Sequence, residues 1–245
     1  MLLFNKRNRY DGEENMREIT SEKQLLEYIN TYKLESVFKK ELLPHLSLYD
    51  VEAGERLCSQ GDASHCLYIL MKGKVKVYTI SPEGKTLVLS FKQPLEVIGD
   101  IEYVQDVDIM NTVEAVSPLV VIGIPYKRLK QHASNDPQLL TFLLEMLTKK
   151  FCAKSNSLSF NLMYPVEVRL ASYLLSIFCE ESHLVMNQKT ESLKDIANLI
   201  GTTYRHLNRV LQKFVAQGVI EKKKGSIILK DKEKLSCLAN DNIYE

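Results

Sequence analysis

Apolar residues recur along this chain with different periods, and each period predicts a different kind of element. Between residues 46 and 124, short apolar runs at 67–70, 75–78, 87–89 and 119–122 alternate with turn-forming residues at Gly54, Gly61, Asp62, Gly73 and Ser81 to Gly84. Evenly spaced runs with turn chemistry between them predict the strands of a β-sandwich or roll. After Pro137 the period lengthens. Leu140, Leu144, Leu147, Phe151, Lys154 and Leu158 follow one another at alternating spacings of four and three, which predicts one long helix carrying a near-heptad stripe. Asp136 is its expected N-cap, Pro137 its first residue, and Tyr164 with Pro165 its end.

Helical stripes then shorten. Leu170, Leu174, Ile177 and Phe178 fall on one side of a helix over 166–178, and Leu193, Ile196, Ala197 and Ile200 on one side of another. Leu207, Val210, Leu211 and Phe214 make a third stripe, so at 3.6 residues per turn Arg205, Arg209 and Gln212 point the opposite way. Residues 219–221 and 227–229 read as two strands of a hairpin joined by a basic, flexible connection, Lys222 to Ser226. Near the start, Ser21 and Gln24 form a capping-box pattern ahead of an apolar helix. Residues 1–20 are polar and mixed in charge, and read as a flexible tail.

The resulting fold class is α+β, in four parts. After the tail come a β-roll over 21–134, a long helix over 135–164 and a winged helix-turn-helix over 165–245. The long helix admits two readings. Its stripe of Leu140, Leu144, Leu147, Phe151 and Leu158 is either a dimer seam or the inward face of a helix packed on its own roll. DNA readers with two-fold symmetry need paired helices, which favours the seam.

Charge sharpens the C-terminal part. From 193 to 230, eight cations (Lys194, Arg205, Arg209, Lys213, Lys222, Lys223, Lys224, Lys230) accompany two acids (Asp195, Glu221), a local net of +6 in a chain whose total is +1. Arg205 and Arg209 stand one turn apart, a like-charge spacing that costs an isolated helix roughly 0.2–0.5 kcal/mol. An anionic partner over that face would repay it. Phosphate neutralisation by such residues supplies salt-dependent affinity, and base contacts from the helix supply sequence preference.

The order of motifs gives a resemblance. Glu52-Ala-Gly-Glu55, Gly61-Asp62, the segment from Tyr68 to Val77 around Gly73, and Ile98-Gly-Asp-Ile101, followed by a long helix and a winged helix-turn-helix, resemble the Crp/Fnr family of bacterial transcription regulators over about residues 30–235. Thr203 to Leu207, Lys223 to Gly225 and Lys234 to Ser236 look most like its YeiL-type branch. The resemblance implies a cyclic-nucleotide-binding-like roll, a homodimer, double-stranded DNA as partner and RNA polymerase as a further one. It places Thr203, Tyr204, Arg205, His206, Asn208, Arg209, Gln212 and Lys213 on the DNA-reading helix, and Lys222, Lys223 and Lys224 on the wing. Only the last arginine of the family's usual reading-helix sequence is kept, as Arg209, so the family's familiar operator does not carry over.

An effector pocket is implied at Gly99, Asp100, Ile101, Asn111 and Thr112. In nucleotide-binding members an arginine there clamps the cyclic phosphate. Here five acids (Asp100, Glu102, Asp106, Asp108, Glu114) and no Lys or Arg lie between Gly99 and Ala115. A phosphate would forgo charge-assisted bonds of about 1.5–3 kcal/mol each, so the expected effector is not a cyclic nucleotide and its identity is open. A roll that serves only as a dimer scaffold, with no effector, is the alternative reading. A small-molecule-binding signalling module without DNA function is a third, against which the +6 stands.

Composition excludes other classes. The chain has 245 residues, 45% apolar and 26% charged, an ordinary globular balance. It has no apolar run of membrane-spanning length and no signal-peptide core, so the expectation is a cytoplasmic protein with no membrane partner. It contains no Gly-rich phosphate loop, nucleophile elbow or metal triad, so it reads as no enzyme. Cys58, Cys66, Cys152, Cys179 and Cys237 and the five histidines (45, 65, 132, 183, 206) show no ligand spacing, and no metal or cofactor is expected. Most of the cysteines read as small buried hydrophobes; Cys58 and Cys66 leave a redox role open.

Overall fold

A computed structural model describes residues 16–180, 185–187, 192–223 and 225–240. The chain divides into two compact units at Lys149 and Lys150, inside the long helix.

The first unit is built on two antiparallel sheets. One has the order β1 (Arg17–Ile19), β2 (Ser47–Val51), β9 (Leu119–Pro125), β4 (Cys66–Lys72), β7 (Glu96–Ile98). The other runs β3 (Arg56–Cys58), β8 (Thr112–Ala115), β5 (Val75–Ile80), β6 (Thr86–Lys92). Strand β4 shows why the sequence there is continuously apolar. Tyr68 and Leu70 enter the core of the roll with Val75, Val113 and Val121. Leu67, Ile69 and Met71 alternate to the opposite side, as the two-residue period requires. There they meet α1 (Glu22–Thr31), α3 (Tyr126–Ala133) and the first turns of α4 (Pro137–Met163). Both faces are covered, so no polar alternation survives. A short helix, α2 (Asp100–Gln105), lies between β7 and β8.

Two expectations are corrected, one in this unit and one that spans both. The tail to residue 20 is in part a strand, since Arg17, Glu18 and Ile19 pair with Asp50, Tyr49 and Leu48. Backbone pairing to a sheet edge needs no apolar run, and Met16, only 4% exposed, supplies the anchor in the core. Residues 1–15 lie outside the described residues. Among the described cysteine side chains burial is not the rule: Cys66 is buried, Cys58 is half-buried, and Cys152 and Cys237 are exposed on helices; the Cys179 side chain lies outside the described residues.

Helix α4 begins as its sequence dictates, with the Gln138 N–H donating to Asp136 Oδ1 at 3.1 Å. Leu139, Phe142, Leu143 and Met146 form its inward face in the first unit. The stripe read from the sequence is a different one: Leu140 and Leu144 are exposed there, as are Phe151 and Leu158 in the second unit, while Leu147 is half-buried.

The second unit packs α5 (Val166–Glu180), α6 (Leu193–Leu199), α7 (Tyr204–Ala216) and α8 (Lys232–Leu238) on an antiparallel sheet ordered β10 (Val185–Asn187), β12 (Ser226–Leu229), β11 (Ile220–Lys223). The stripe of Leu207, Val210, Leu211 and Phe214 is buried in its core with Ile196, Ile220 and Ile227. No helix among the described residues is long and apolar enough to cross a membrane.

Candidate nucleic-acid interface

Two side-chain caps frame the helix-turn-helix. Ser192 Oγ accepts the Asp195 N–H at 3.1 Å at the start of α6, and Thr203 Oγ1 accepts the His206 N–H at 3.2 Å at the start of α7, each satisfying an orphan donor of its first turn. Between them Gly201 takes the left-handed region at φ +65°, a conformation glycine adopts without strain.

Two residues that the sequence reading did not single out hold this turn in place. Arg169 of α5, only 8% exposed, donates from its guanidinium to the carbonyls of Ile200 and Gly201. Asn161 Nδ2 of α4 donates to the Leu199 carbonyl at 3.1 Å. Together they satisfy the carbonyls left open at the end of α6. The signal was present: Arg169 interrupts an otherwise apolar face of Val166, Leu170, Tyr173 and Ile177, and a charge on a buried face needs partners.

With the apolar stripe of α7 buried, Thr203, Tyr204, Arg205, His206, Arg209, Gln212 and Lys213 are exposed and Asn208 is half-buried. Arg205 and Arg209 have no acidic partner among the described residues. The lysines differ. Lys213 Nζ lies 2.7 Å from Glu167, while Glu221 takes Lys230 at 2.6 Å and Lys223 at 3.4 Å. These bonds, that from Lys230 foremost, hold the Glu221 carboxyl below its ordinary range. Lys222 Nζ donates to Asn208 Oδ1 at 3.2 Å. Lys224 lies outside the described residues. The basic connection expected over Lys222 to Ser226 is shorter than that, since Lys222 and Lys223 belong to β11 and Lys223 pairs with Ser226.

In the first unit the expected effector residues surround α2. Gly99, at φ +88°, leaves no room for a side chain, because a Cβ there would lie 2.5 Å from Tyr126 Oη and 2.8 Å from the Cys66 carbonyl oxygen. Tyr126 Oη donates to the Gly99 carbonyl at 2.6 Å and accepts from Ser64 Oγ at 2.8 Å. The buried carboxylate of Glu102 accepts the Met110 N–H at 3.0 Å, tying α2 to the segment ahead of Asn111. Thr112 Oγ1 accepts the Gln60 N–H at 3.0 Å. Asp100 and Thr112 are buried, and Ile101 and Asn111 half-buried. Burial first, then the nearby Glu102 carboxylate, pushes the Cys58 thiol up to about 12, so it carries almost no thiolate at neutral pH. Low-pKa thiolates are the reactive ones, and this environment speaks against a redox role for Cys58. His183 lies outside the described residues, and among these no group of three His, Cys, Asp or Glu is placed to hold a metal.

A roll joined to a winged helix-turn-helix with a cationic second helix defines a class of DNA-binding regulators. Residues 49–136 match the family model described as cyclic nucleotide-binding domain, and residues 168–238 that described as Crp-like helix-turn-helix domain. The chain is 27% identical to regulatory protein YeiL of Escherichia coli O157:H7, over 84% of this chain and 93% of that protein. It is 22% identical to the CRP-like cAMP-activated global transcriptional regulator of Mycobacterium tuberculosis, over 80% and 89%. The fold matches that of a crp/fnr-family regulator from Eubacterium rectale with a TM-score of 0.72 at 20% identity, covering 82% of this chain and 93% of that one. It matches FixK2 of Bradyrhizobium japonicum with a TM-score of 0.64 at 18% identity, covering 79% and 96%. The chain belongs to the Crp/Fnr family, and is a DNA-binding transcriptional regulator of that type.

Proposed function

We propose that the protein is a sequence-specific regulator that binds double-stranded DNA as a homodimer, with α7 in the major groove and the wing against the backbone. The observation that carries this is the pair Arg205 and Arg209, exposed and without acidic partners among the described residues, on the face of α7 opposite its buried stripe. Arginines in such a position meet guanine edges and phosphates with bidentate geometry. Thr203, Tyr204, His206 and Gln212 complete the reading face. Dimerisation is assigned to the exposed Leu140, Leu144, Phe151 and Leu158 of α4 with Leu147, and RNA polymerase is the further partner through which a bound dimer would act. Selection of operator fragments from the source genome, followed by gel shifts, tests the assignment. Arg205→Ala and Arg209→Ala abolish specific shifts while leaving the oligomeric state unchanged; specific shifts surviving both changes would refute it.

The signal read by the roll is assigned to something other than a cyclic nucleotide, because the segment from Gly99 to Ala115 carries five acids and no Lys or Arg to clamp a phosphate. A second reading, in which the roll is only a dimer scaffold, draws on the bonds by which Glu102 and Tyr126 close the segment internally. Operator affinity measured with and without small-molecule cell extract separates the two, since a scaffold gives one value in both conditions.

A further inference from the structure

The sequence presents Lys222, Lys223 and Lys224 as one basic block, but strand geometry divides the first two. In the wing, Ile220, Glu221, Lys222 and Lys223 oppose Leu229, Ile228, Ile227 and Ser226. Successive side chains of β11 alternate between faces, so Ile220 and Lys222 share one side and Glu221 and Lys223 the other. Ile220 and its neighbours Ile227 and Leu229 belong to the core that contains the buried stripe of α7. The Lys222 side is therefore the one turned to the reading helix, where its Nζ reaches Asn208. On the other side Glu221 holds Lys223 and Lys230.

Asn208 is committed at both ends of its amide. Nδ2 donates to the Tyr204 carbonyl at 3.1 Å, and Oδ1 accepts from Lys222. That leaves it poorly placed to read a base edge, and well placed to fix a wing residue against the first turns of α7. An ammonium has three donors. One spent on a neutral amide leaves the charge and two donors available, whereas an ammonium beside a carboxylate has most of its field cancelled.

We infer that Lys222 is the wing's phosphate contact and that Asn208 is a positioning residue holding it beside the reading helix, while Lys223 and Lys230, paired with Glu221 on the far face, add little to binding. This rests on the DNA-reading assignment of α7 above. It makes neighbouring lysines unequal, which composition cannot do.

Fluorescence anisotropy of the full-length protein on a short labelled duplex of random sequence, titrated over a range of NaCl concentrations, tests it. Lys222→Ala weakens binding and flattens the slope of log K against log salt by about 1, and Lys222→Arg retains the slope. Lys223→Ala leaves affinity and slope nearly unchanged, whereas Glu221→Gln, which removes the carboxylate that holds Lys223 and Lys230, leaves binding the same or tighter and never weaker. Asn208→Ala weakens binding on its own but has no further effect in a Lys222→Ala background, a coupling that a purely structural asparagine would not show. Lys222→Gln keeps a donor for Asn208 without the charge, and serves as the second variant if Lys222→Ala melts early. Equal effects of Lys222→Ala and Lys223→Ala, or additive effects of Asn208→Ala and Lys222→Ala, overturn the inference while Arg205→Ala and Arg209→Ala still weaken binding. If those two arginine changes leave affinity for the duplex untouched, the DNA-reading assignment itself falls.

Discussion

Arg169 donates to the carbonyl of Gly201 at 3.3 Å, so α5 clasps the turn that sets the angle between α6 and α7. The same nitrogen also serves the Ile200 carbonyl. Replacing Arg169 by Met leaves buried carbonyls without their charged donor, a loss of about 1.5–3 kcal/mol per charged hydrogen bond. Arg169→Met should lower the urea midpoint of the second unit and weaken DNA binding, although residue 169 is not on the reading face. Lysine, with a single point of charge, should restore only part of the stability. An unchanged midpoint in Arg169→Met would show that water replaces the guanidinium at no cost.

Leu144 and Phe151 are 65% and 73% exposed on α4, far more than a residue packed on its own unit. Leu144→Glu and Phe151→Glu should convert dimers to monomers in analytical ultracentrifugation while shifting each unit's own stability by no more than about 0.5 kcal/mol, as surface changes do. Dimers persisting in both variants would move the seam elsewhere.

Isothermal titration calorimetry with cyclic AMP and with cyclic GMP should give no heat of specific binding. Micromolar binding of either would mean that the acids around α2 rearrange to admit a phosphate, and would return this chain to the nucleotide-gated members of its family.

Cys58 supplies a pH signature. Its thiol, ordinarily near 9.0, is pushed up to about 12 in the folded chain, so between these values the native state holds a proton that the unfolded state releases. Stability from this group is complete below pH 9 and falls as pH rises toward 12. Wild-type denaturation midpoints should therefore decline more steeply than those of Cys58→Ala on the alkaline side. At neutral pH, iodoacetamide should label the exposed Cys152 and Cys237 and leave Cys58 unlabelled until the chain is denatured; matching midpoint curves, or early labelling of Cys58, would contradict this environment.

Much of the architecture was legible because its periods were strong. The stripe of Leu207, Val210, Leu211 and Phe214, the caps at Ser21 and Asp136, and the apolar runs of β4 and β9 each carried a local signal. Strand β1 was not, because Arg17 and Glu18 are polar and join the sheet through their backbones, which composition does not record. Pairing was the other silent quantity. The eight cations of residues 193–230 looked equivalent in one dimension. Glu167, 46 residues from Lys213 in sequence, and Asn208, 14 from Lys222, become their neighbours only when the chain closes. Arg169 was visible as a charge on an apolar face, but its acceptors were backbone carbonyls, and no side-chain pattern announces those.

The alternation along β11 restricts how this wing can change in length. One residue inserted after Ile220 would slide Glu221 into the place of Lys222, putting a carboxylate where a cation now meets the reading helix and turning attraction for a polyanion into repulsion. Two inserted residues would restore the original parity. Viable variants of the hairpin should therefore differ by even steps, and a family tree of such wings should be missing its odd rungs.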